Sequence, residues 1–238
     1  MLALAGGPHL GHRRLQQVRE AAQLIGDPAP SGVSEYSTRC GIAVSTSRVS
    51  MPSHSRVCSI LKADTTTNPL APEHKATEEV LAASGLPYTV LRNGWYTENY
   101  TDQLPQYLQS GTIPGATGGS TISAAPRTDY AAAAAAALTG DEEGDAVYEL
   151  GGAAFTFDEL ADAVTEVTGT TVVHRDLSAA ELASALENVG LDAGTAGFVT
   201  ALDHSIAIGE LATDSDDLSR LIGRPSTPLR DAIRAARA

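Results

Sequence analysis

The sequence predicts an α/β protein with a mainly parallel sheet. Helix and strand signals alternate from about residue 63 to the C-terminus, and this alternation is typical of strands joined by crossover helices. Glycines and helix-capping residues separate the segments at regular intervals. A chain of 238 residues is long enough for one such domain with a hydrophobic core and a small additional lobe.

The first elements follow from local signals. Residues 73–84 are rich in helix formers and stop before Gly85, which readily adopts the left-handed conformation that ends a helix. Residues 87–91 form a short apolar run, which predicts a buried strand. Residues 95–109 are expected to be helical, with Pro105 as a break or kink.

A glycine pair and an alanine run mark the middle of the chain. Gly118-Gly119 lies between β-branched residues, which predicts a hairpin. The seven alanines Ala131–Ala137 favour a helix packed closely on a sheet, since small side chains permit close approach. A low-complexity linker is the alternative interpretation of this run.

Strands are predicted at residues 147–150 and 172–174, with a helix between them that ends at Gly169. Each predicted helix in this region begins with a hydroxyl residue followed three positions later by a glutamate, which is the pattern of a capping box. The two pairs are Thr156 with Glu159 and Ser178 with Glu181.

Composition excludes several classes of protein. The net charge of −13 opposes nucleic-acid binding, because neutralising phosphates requires clustered Lys and Arg. The sequence has no apolar run of 18 residues, so we expect no membrane-spanning helix. Basic residues follow the first apolar stretch rather than precede it, which argues against a secretory signal. Cys40 and Cys58 are too few for a zinc site or disulfide framework. We therefore expect a cytoplasmic protein without a metal.

One stretch carries a family resemblance. Residues 59–100 read SILKADTTTNPLAPEHKATEEVLAASGLPYTVLRNGWYTENY. This segment resembles the NmrA-like, atypical short-chain dehydrogenases, in particular bacterial NAD(P)H:quinone oxidoreductases of type 2. The resemblance covers about residues 59–238. The residues that carry it are Ser59, Ala63–Thr66, His74, Glu78, Arg92–Tyr96, Glu98, Asn99, Arg127–Tyr130 with the alanine run, and Leu221–Pro225.

The resemblance implies a Rossmann-like doubly wound parallel sheet with a small C-terminal α/β substrate lobe. It implies hydride transfer from NADP, or from NAD as the second option, to a small-molecule quinone, and it leaves a homodimer open. Two other functions stay open: a non-enzymatic NAD(P)-binding redox sensor of the NmrA type, and an inactive truncated remnant. The chain would comprise a degenerate N-terminal part, residues 1–58, and the remainder of the fold, residues 59–238.

Residues 93–96 are the candidate substrate site, because ligands of open α/β sheets bind beyond the carboxyl ends of strands. Asn93 can donate and accept hydrogen bonds, which suits a carboxamide or a quinone carbonyl. Gly94 permits close approach, and Trp95 and Tyr96 offer flat faces for a ring. Asn93 and Trp95 are also candidate catalytic residues. The alternative is structural: Trp95 anchors the core and Asn93 stabilises its loop.

His74 is the third candidate catalytic residue and, with Asn93, a candidate cofactor contact. Its imidazole could donate a proton to the reduced oxygen, or it could be an ordinary surface residue of the first helical turn. We expect no role for His174 or His204, which have no evident partners. The Tyr-x-x-x-Lys pair usual in short-chain dehydrogenases is not found at Tyr36 or Tyr88.

The glycine-rich loop that the resemblance implies is altered. The candidates for binding the cofactor pyrophosphate are Gly6, Gly7, Leu10 and Gly11. Ala5 stands where the family has its first glycine and Pro8 where it has its second. Because proline has no amide donor and fixes φ, we expect a weakened phosphate cradle.

The first 58 residues fit the implied fold poorly. Three βα units would need roughly 75 residues before the strand that ends near Ser59. Residues 31–60 contain nine serines, and residues 1–62 carry a net charge of +4 against −17 for the rest. We hypothesise that residues 12–58 arise from a deletion with a shifted reading frame or a damaged gene. A natural basic N-terminal module is the alternative, and sequencing the source locus distinguishes the two.

Overall fold

The structure, a computed structural model, describes residues 54–140 and 144–237 and confirms the α/β class. The remaining residues, including Gly6, Gly7, Leu10 and Gly11, lie outside the described residues. In chain order the elements are β1 Ser55–Ile60, α1 Ala71–Ala83, β2 Tyr88–Asn93, α2 Glu98–Thr101, α3 Leu104–Ser110, β3 Thr112–Gly115, α4 Arg127–Thr139, β4 Ala146–Leu150, α5 Phe157–Thr168, β5 Val173–Asp176, α6 Ala179–Asn188, α7 Ala193–Ala207, α8 Asp217–Ile222 and α9 Leu229–Ala235.

The main sheet consists of three parallel strands in the order β1-β2-β4. Its register aligns Ile60, Asn93 and Leu150, so all three strands end at one edge. Helix α1 packs against one face of this sheet and α4 against the other. Helices on both faces of a parallel sheet make the doubly wound arrangement, and the predicted Rossmann-like fold is confirmed.

The alanine run forms helix α4, as predicted, and not a linker. Ala133 and Ala137 are 0% and 3% exposed and pack against Leu91 and Tyr148 of the sheet. The Ala137 carbonyl also accepts a hydrogen bond of 2.6 Å from the Arg56 side chain of β1. Small side chains thus bring the helix backbone within reach of the sheet, which is the physical reason for the run.

The C-terminal lobe is built on a second parallel sheet, in which β3 pairs with β5. Its core is an apolar cluster that includes Tyr100, Ile113, Phe157 and Leu160. The predicted hairpin at Gly118-Gly119 is wrong. Both glycines have positive φ and form a turn, but β3 before them pairs with residues 173–176 of β5.

The partner of the segment after the turn explains this error. Ile122 is completely buried and forms an antiparallel bridge with Phe155, not with β3. The chain then continues to Ala125, which bridges Tyr96 at the carboxyl edge of the main sheet. The glycine turn therefore leads the chain from one sheet to the other, where Ile122 and Ala125 find their bridge partners.

Most predicted element ends are close to the observed ones. Gly85, with φ of +70°, follows α1 as expected, and both capping boxes are present. Residues 95–109 form two short helices, α2 and α3. Pro105 lies in the first turn of α3, where its missing N–H costs nothing. No helix in the described ranges is long and apolar enough to cross a membrane.

Candidate functional site

The carboxyl edge of the main sheet is where a ligand is expected in this fold. Backbone hydrogen bonds join the segments that follow the three strands. Leu61 N–H donates to the Asn93 carbonyl at 2.9 Å, and Gly94 N–H donates to the Leu150 carbonyl at 2.7 Å. Gly152 N–H, after β4, donates to the Ser123 carbonyl at 3.3 Å. The edge is therefore a connected surface held by main-chain contacts.

Asn93 is the last residue of β2 and carries a buried, unpartnered atom. Its neighbour Arg92 faces α1, so strand alternation directs the Asn93 side chain to the α4 face of the sheet. The Asn93 Oδ1 atom is buried and accepts no hydrogen bond from any described residue. Buried acceptors are almost always satisfied, so a donor from outside the described residues is expected at this position.

Gly94 is required by close packing rather than by backbone conformation. A Cβ atom at this residue would lie 2.7 Å from the Ser123 carbonyl oxygen, 2.9 Å from that of Leu150 and 3.0 Å from the Tyr130 hydroxyl. The two contacts with backbone oxygens are shorter than real Cβ atoms make, and the third is very tight. The room predicted at Gly94 is thus filled by the protein itself, which draws the ends of β2 and β4 together.

Trp95 lies at the junction of the sheet and the C-terminal lobe. Its half-buried ring packs against the apolar cluster of the lobe, whereas the next ring, that of Tyr96, packs against the cluster under the main sheet. The Trp95 carbonyl accepts hydrogen bonds from Ala125 N–H at 3.1 Å and from the Tyr130 hydroxyl at 3.2 Å. Burial raises the pKa of Tyr130 well above its ordinary value. Trp95 is also the only tryptophan of the chain.

Neighbouring side chains limit the faces that Tyr96 can offer a ligand. The Arg127 guanidinium stands over the ring, 4.9 Å from its centroid, and the Tyr130 ring packs against it in a T-shaped pair at 5.4 Å. Cation–π and edge-on contacts of this kind fix ring orientation. One face of Tyr96 is therefore covered by protein.

His74 lies on the other side of the sheet from the Asn93 side chain. It precedes Glu78 by one helical turn, and Glu78 reaches Arg92 on the α1 face, so His74 projects from the same side of the helix. Burial lowers the pKa of His74, against the opposing effects of Glu73 and Glu78. The neutral imidazole is therefore favoured at neutral pH.

His174 has partners that were not evident from the sequence. Its buried ring lies in β5, where Nδ1 is 3.1 Å from the Asp158 carboxylate and the ring packs edge-on with Phe157 at 5.4 Å. Both partners lie at the start of α5, which packs on β5. They are about 16 positions before His174 in the chain, so a short sequence window does not show the contact. The contacts belong to the core of the C-terminal lobe.

Arg92 belongs to the quoted motif but received no role from the sequence. It is only 8% exposed, and its guanidinium pairs with Asp64, Glu78 and Glu149. A usable signal was present, because an arginine inside an apolar strand cannot be buried without acidic partners. Two acidic residues of the same motif, Asp64 and Glu78, are among its partners.

A second buried charge, Asp129, was also missed. Its carboxylate is completely buried at the start of α4 and accepts hydrogen bonds from Arg224 at 2.6 Å and from the Thr227 N–H at 2.7 Å. Two motifs that lie far apart in the sequence thus meet in space. Between these two partners, Ser226 Oγ accepts from Ala153 N–H in the loop after β4, so the C-terminal segment supports the carboxyl edge.

Comparison with known proteins identifies relatives of this chain. No protein-family profile matches it. Quinone oxidoreductase 2 of Escherichia coli is 44% identical over 176 residues, which are 74% of this chain and 62% of that protein. The chain therefore spans about 62% of the length of this curated relative. A crystal structure of an NADPH-dependent quinone oxidoreductase of E. coli matches with 42% identity and a TM-score of 0.74, over 78% of this chain and 68% of that one.

Two further structures extend the comparison. The triphenylmethane reductase of Citrobacter sp. matches with 34% identity and a TM-score of 0.73, over 77% of this chain and 64% of that one. NmrA, a negative transcriptional regulator crystallised with NAD, matches with 12% identity and a TM-score of 0.59, over 76% of this chain and 63% of that one. At that identity the likeness to NmrA shows a shared fold.

Proposed function

This chain belongs to the NmrA-like family of atypical short-chain dehydrogenases, and we propose that it is an NADPH-dependent quinone oxidoreductase. The E. coli relative is a quinone oxidoreductase, and a structure of the E. coli enzyme holds NADPH. Hydride transfer from a reduced nicotinamide to a quinone is the reaction that fits both names. NAD is the second candidate for the coenzyme.

The unpartnered Asn93 Oδ1 carries the proposal. A buried acceptor at the carboxyl edge of a Rossmann-like sheet suits the amide N–H of a nicotinamide carboxamide. An amide donor would satisfy an atom that otherwise costs about 1–3 kcal/mol to leave unpaired. The residues described at this edge therefore fit the nicotinamide end of the coenzyme. The pyrophosphate candidates, Gly6, Gly7, Leu10 and Gly11, remain an expectation from the sequence.

The residues around Asn93 have distinct parts in this proposal. When bound, the coenzyme supplies a hydride, which reduces the quinone to the hydroquinone anion, and solvent provides the proton. Asn93 orients the carboxamide, and the half-buried Trp95 ring packs beside the reacting rings and excludes water. His74, kept neutral by burial, could contact the coenzyme from the α1 face. Tyr96, packed against Arg127 and Tyr130, holds the C-terminal end of the segment of residues 93–96 in place.

Trp95 makes the central experiment direct. Because it is the only tryptophan, energy transfer to bound NADPH reports on distance to this residue when the excitation wavelength lies beyond the absorption of tyrosine. We expect quenched tryptophan emission and sensitised NADPH emission on titration, followed by NADPH consumption when a small benzoquinone is added. Titration with no change in either emission would refute the proposed site. Binding without turnover would instead indicate a sensor of the NmrA type, and no binding at all would indicate a remnant.

Replacement of Trp95 tests the substrate part of the site. Trp95→Ala should lower quinone turnover at least about tenfold, which corresponds to about 1.4 kcal/mol of transition-state stabilisation. Trp95→Phe keeps a flat apolar ring and should recover most of this loss. Unchanged kcat/KM in Trp95→Ala would remove Trp95 from the site, and equal losses in both variants with a lowered melting temperature would assign it to the core.

A further inference from the structure

We propose that Arg92 is a positioning residue for the coenzyme site, acting through the Leu61–Thr66 loop and Asn93. This inference rests on the proposed function, since it concerns the same carboxyl edge. Arg92 itself faces α1 and is buried under that edge. Its influence reaches the site through two chains of hydrogen bonds.

The Arg92 guanidinium joins three elements that meet at the edge. Nη1 donates to Asp64, in the loop after β1, at 2.9 Å and to Glu149 of β4 at 2.8 Å. Nε and Nη2 donate to Glu78 of α1, with the shortest contact at 2.6 Å. Four of its five N–H groups are thus engaged, and β2, β4, α1 and the loop are fixed relative to one another.

The first chain of contacts runs through Glu149 to Lys62. The second carboxylate oxygen of Glu149 accepts a hydrogen bond of 2.9 Å from Lys62 N–H. Among the described residues, Lys62 is the only one other than glycine with positive φ, at +54°. Such a conformation costs roughly 1 kcal/mol or more and persists only where surrounding contacts hold it. Its carbonyl in turn accepts from Thr65 and Thr66 N–H, at 2.9 and 2.8 Å.

The second chain runs from Arg92 through Asp64 to the loop after β1, and from the loop back to Asn93. The Asn93 carbonyl accepts from Leu61 N–H, and Leu61 immediately precedes the strained residue Lys62. Displacement of the loop would therefore pull on the Asn93 peptide, which is also held through Gly94 N–H. Arg92 and Asn93 are consecutive in β2, so a single peptide bond joins the residue that carries the guanidinium to the residue that carries the unpartnered amide oxygen. Arg92 sets the orientation of Asn93 without touching a ligand.

Lysine cannot replace the guanidinium in this arrangement. An ammonium is a point charge on a flexible stem, whereas the three carboxylates here surround a planar fork of donors. Arg92→Lys therefore keeps the charge and removes the geometry. Asp64→Asn is the milder variant, because that carboxylate is 59% exposed and is only one of the three partners. Arg234→Lys, at an exposed guanidinium that pairs with Asp231, is the matched control.

The test combines amide hydrogen exchange of residues 61–66 with NADPH titration and steady-state kinetics on the full chain. In Arg92→Lys we expect faster exchange in this loop and an NADPH dissociation constant raised about tenfold or more, as misplaced binding groups produce. The KM for NADPH should rise more than kcat falls. Asp64→Asn should show the same changes to a smaller extent at an unchanged melting temperature, and Arg234→Lys should show none.

Two results would overturn the inference. One is wild-type exchange of residues 61–66 in both Arg92→Lys and Asp64→Asn. The other is an unchanged NADPH dissociation constant in both variants although the loop exchanges faster. If Arg92→Lys does not fold, Asp64→Asn decides alone. Absence of NADPH binding by the wild-type protein would contradict the proposed function, whereas loss of binding only in the variants contradicts neither.

Discussion

The buried carboxylate of Asp129 provides the clearest test of how the chain is held together. We predict that Asp129→Ala lowers the free energy of unfolding by about 2–4 kcal/mol. The carboxylate is completely buried and accepts hydrogen bonds from Arg224 and from both the N–H and the hydroxyl of Thr227. Its removal leaves these donors without an acceptor.

The magnitude follows from the exposure of the three donors. Each hydrogen bond to a charged acceptor contributes about 1.5–3 kcal/mol when it is shielded from water. Thr227 is half-buried, so its two bonds count toward the lower part of this range. The Arg224 side chain is 49% exposed, and an ion pair with such an exposed partner adds no more than about 1 kcal/mol. The total is a large fraction of the 5–15 kcal/mol typical of a folded domain.

Urea denaturation, followed by Trp95 fluorescence and by circular dichroism, measures this change as a shift in midpoint at constant slope. The control is Asp231→Ala, which removes an exposed carboxylate that pairs with Arg234, three residues further along α9. That variant should lose less than about 1 kcal/mol. Equal losses in the two variants would refute the assignment of Asp129 as the anchor of the C-terminal segment.

Two further predictions concern single residues. Gly94→Ala should lower the free energy of unfolding by roughly 1–3 kcal/mol or more, because the new Cβ atom has no room. Gly197→Ala, in open space on α7, should raise it by about 0.5–1 kcal/mol. Thermal denaturation that ranks the two variants the other way would contradict the packing at Gly94. The folded-state pKa of His74 lies below its ordinary value of 6.5, so the unfolded chain takes up the proton first and stability is lost as the pH falls below about 7. His74→Gln should therefore flatten the fall in urea midpoint between about pH 7 and 5. An equally steep fall in the variant would exclude His74 as its source.

The parts of the fold that the sequence predicted depend on local signals. The capping boxes of α5 and α6 are each formed by residues three positions apart, so both partners are visible in a short window. The stop at Gly85 and the close packing of Ala131–Ala137 are likewise properties of single segments. These predictions were confirmed because tertiary contacts reinforce the local preference instead of overriding it.

The parts that it missed depend on partners far away in the chain. The donors to Asp129 are 95 and 98 positions distant, and β3 pairs with a strand about 60 residues later. The glycine turn at Gly118-Gly119 was real, but Ile122 after it pairs with Phe155, 33 positions further along the chain, and not with β3. Arg92 could have been recognised from its apolar neighbours, whereas its third partner, Glu149, could not.

The hydroxyl of Tyr130 is held in a way that excludes it from proton transfer. Its proton is committed to the Trp95 carbonyl, and burial keeps the phenol from ionising. It therefore acts as a permanent brace under the aromatic segment and cannot take the role that tyrosine has in a Tyr-x-x-x-Lys pair. We therefore expect no loss of activity at alkaline pH that comes from this phenol. Tyr130→Phe should loosen the segment of residues 93–96 but should not abolish a proton transfer.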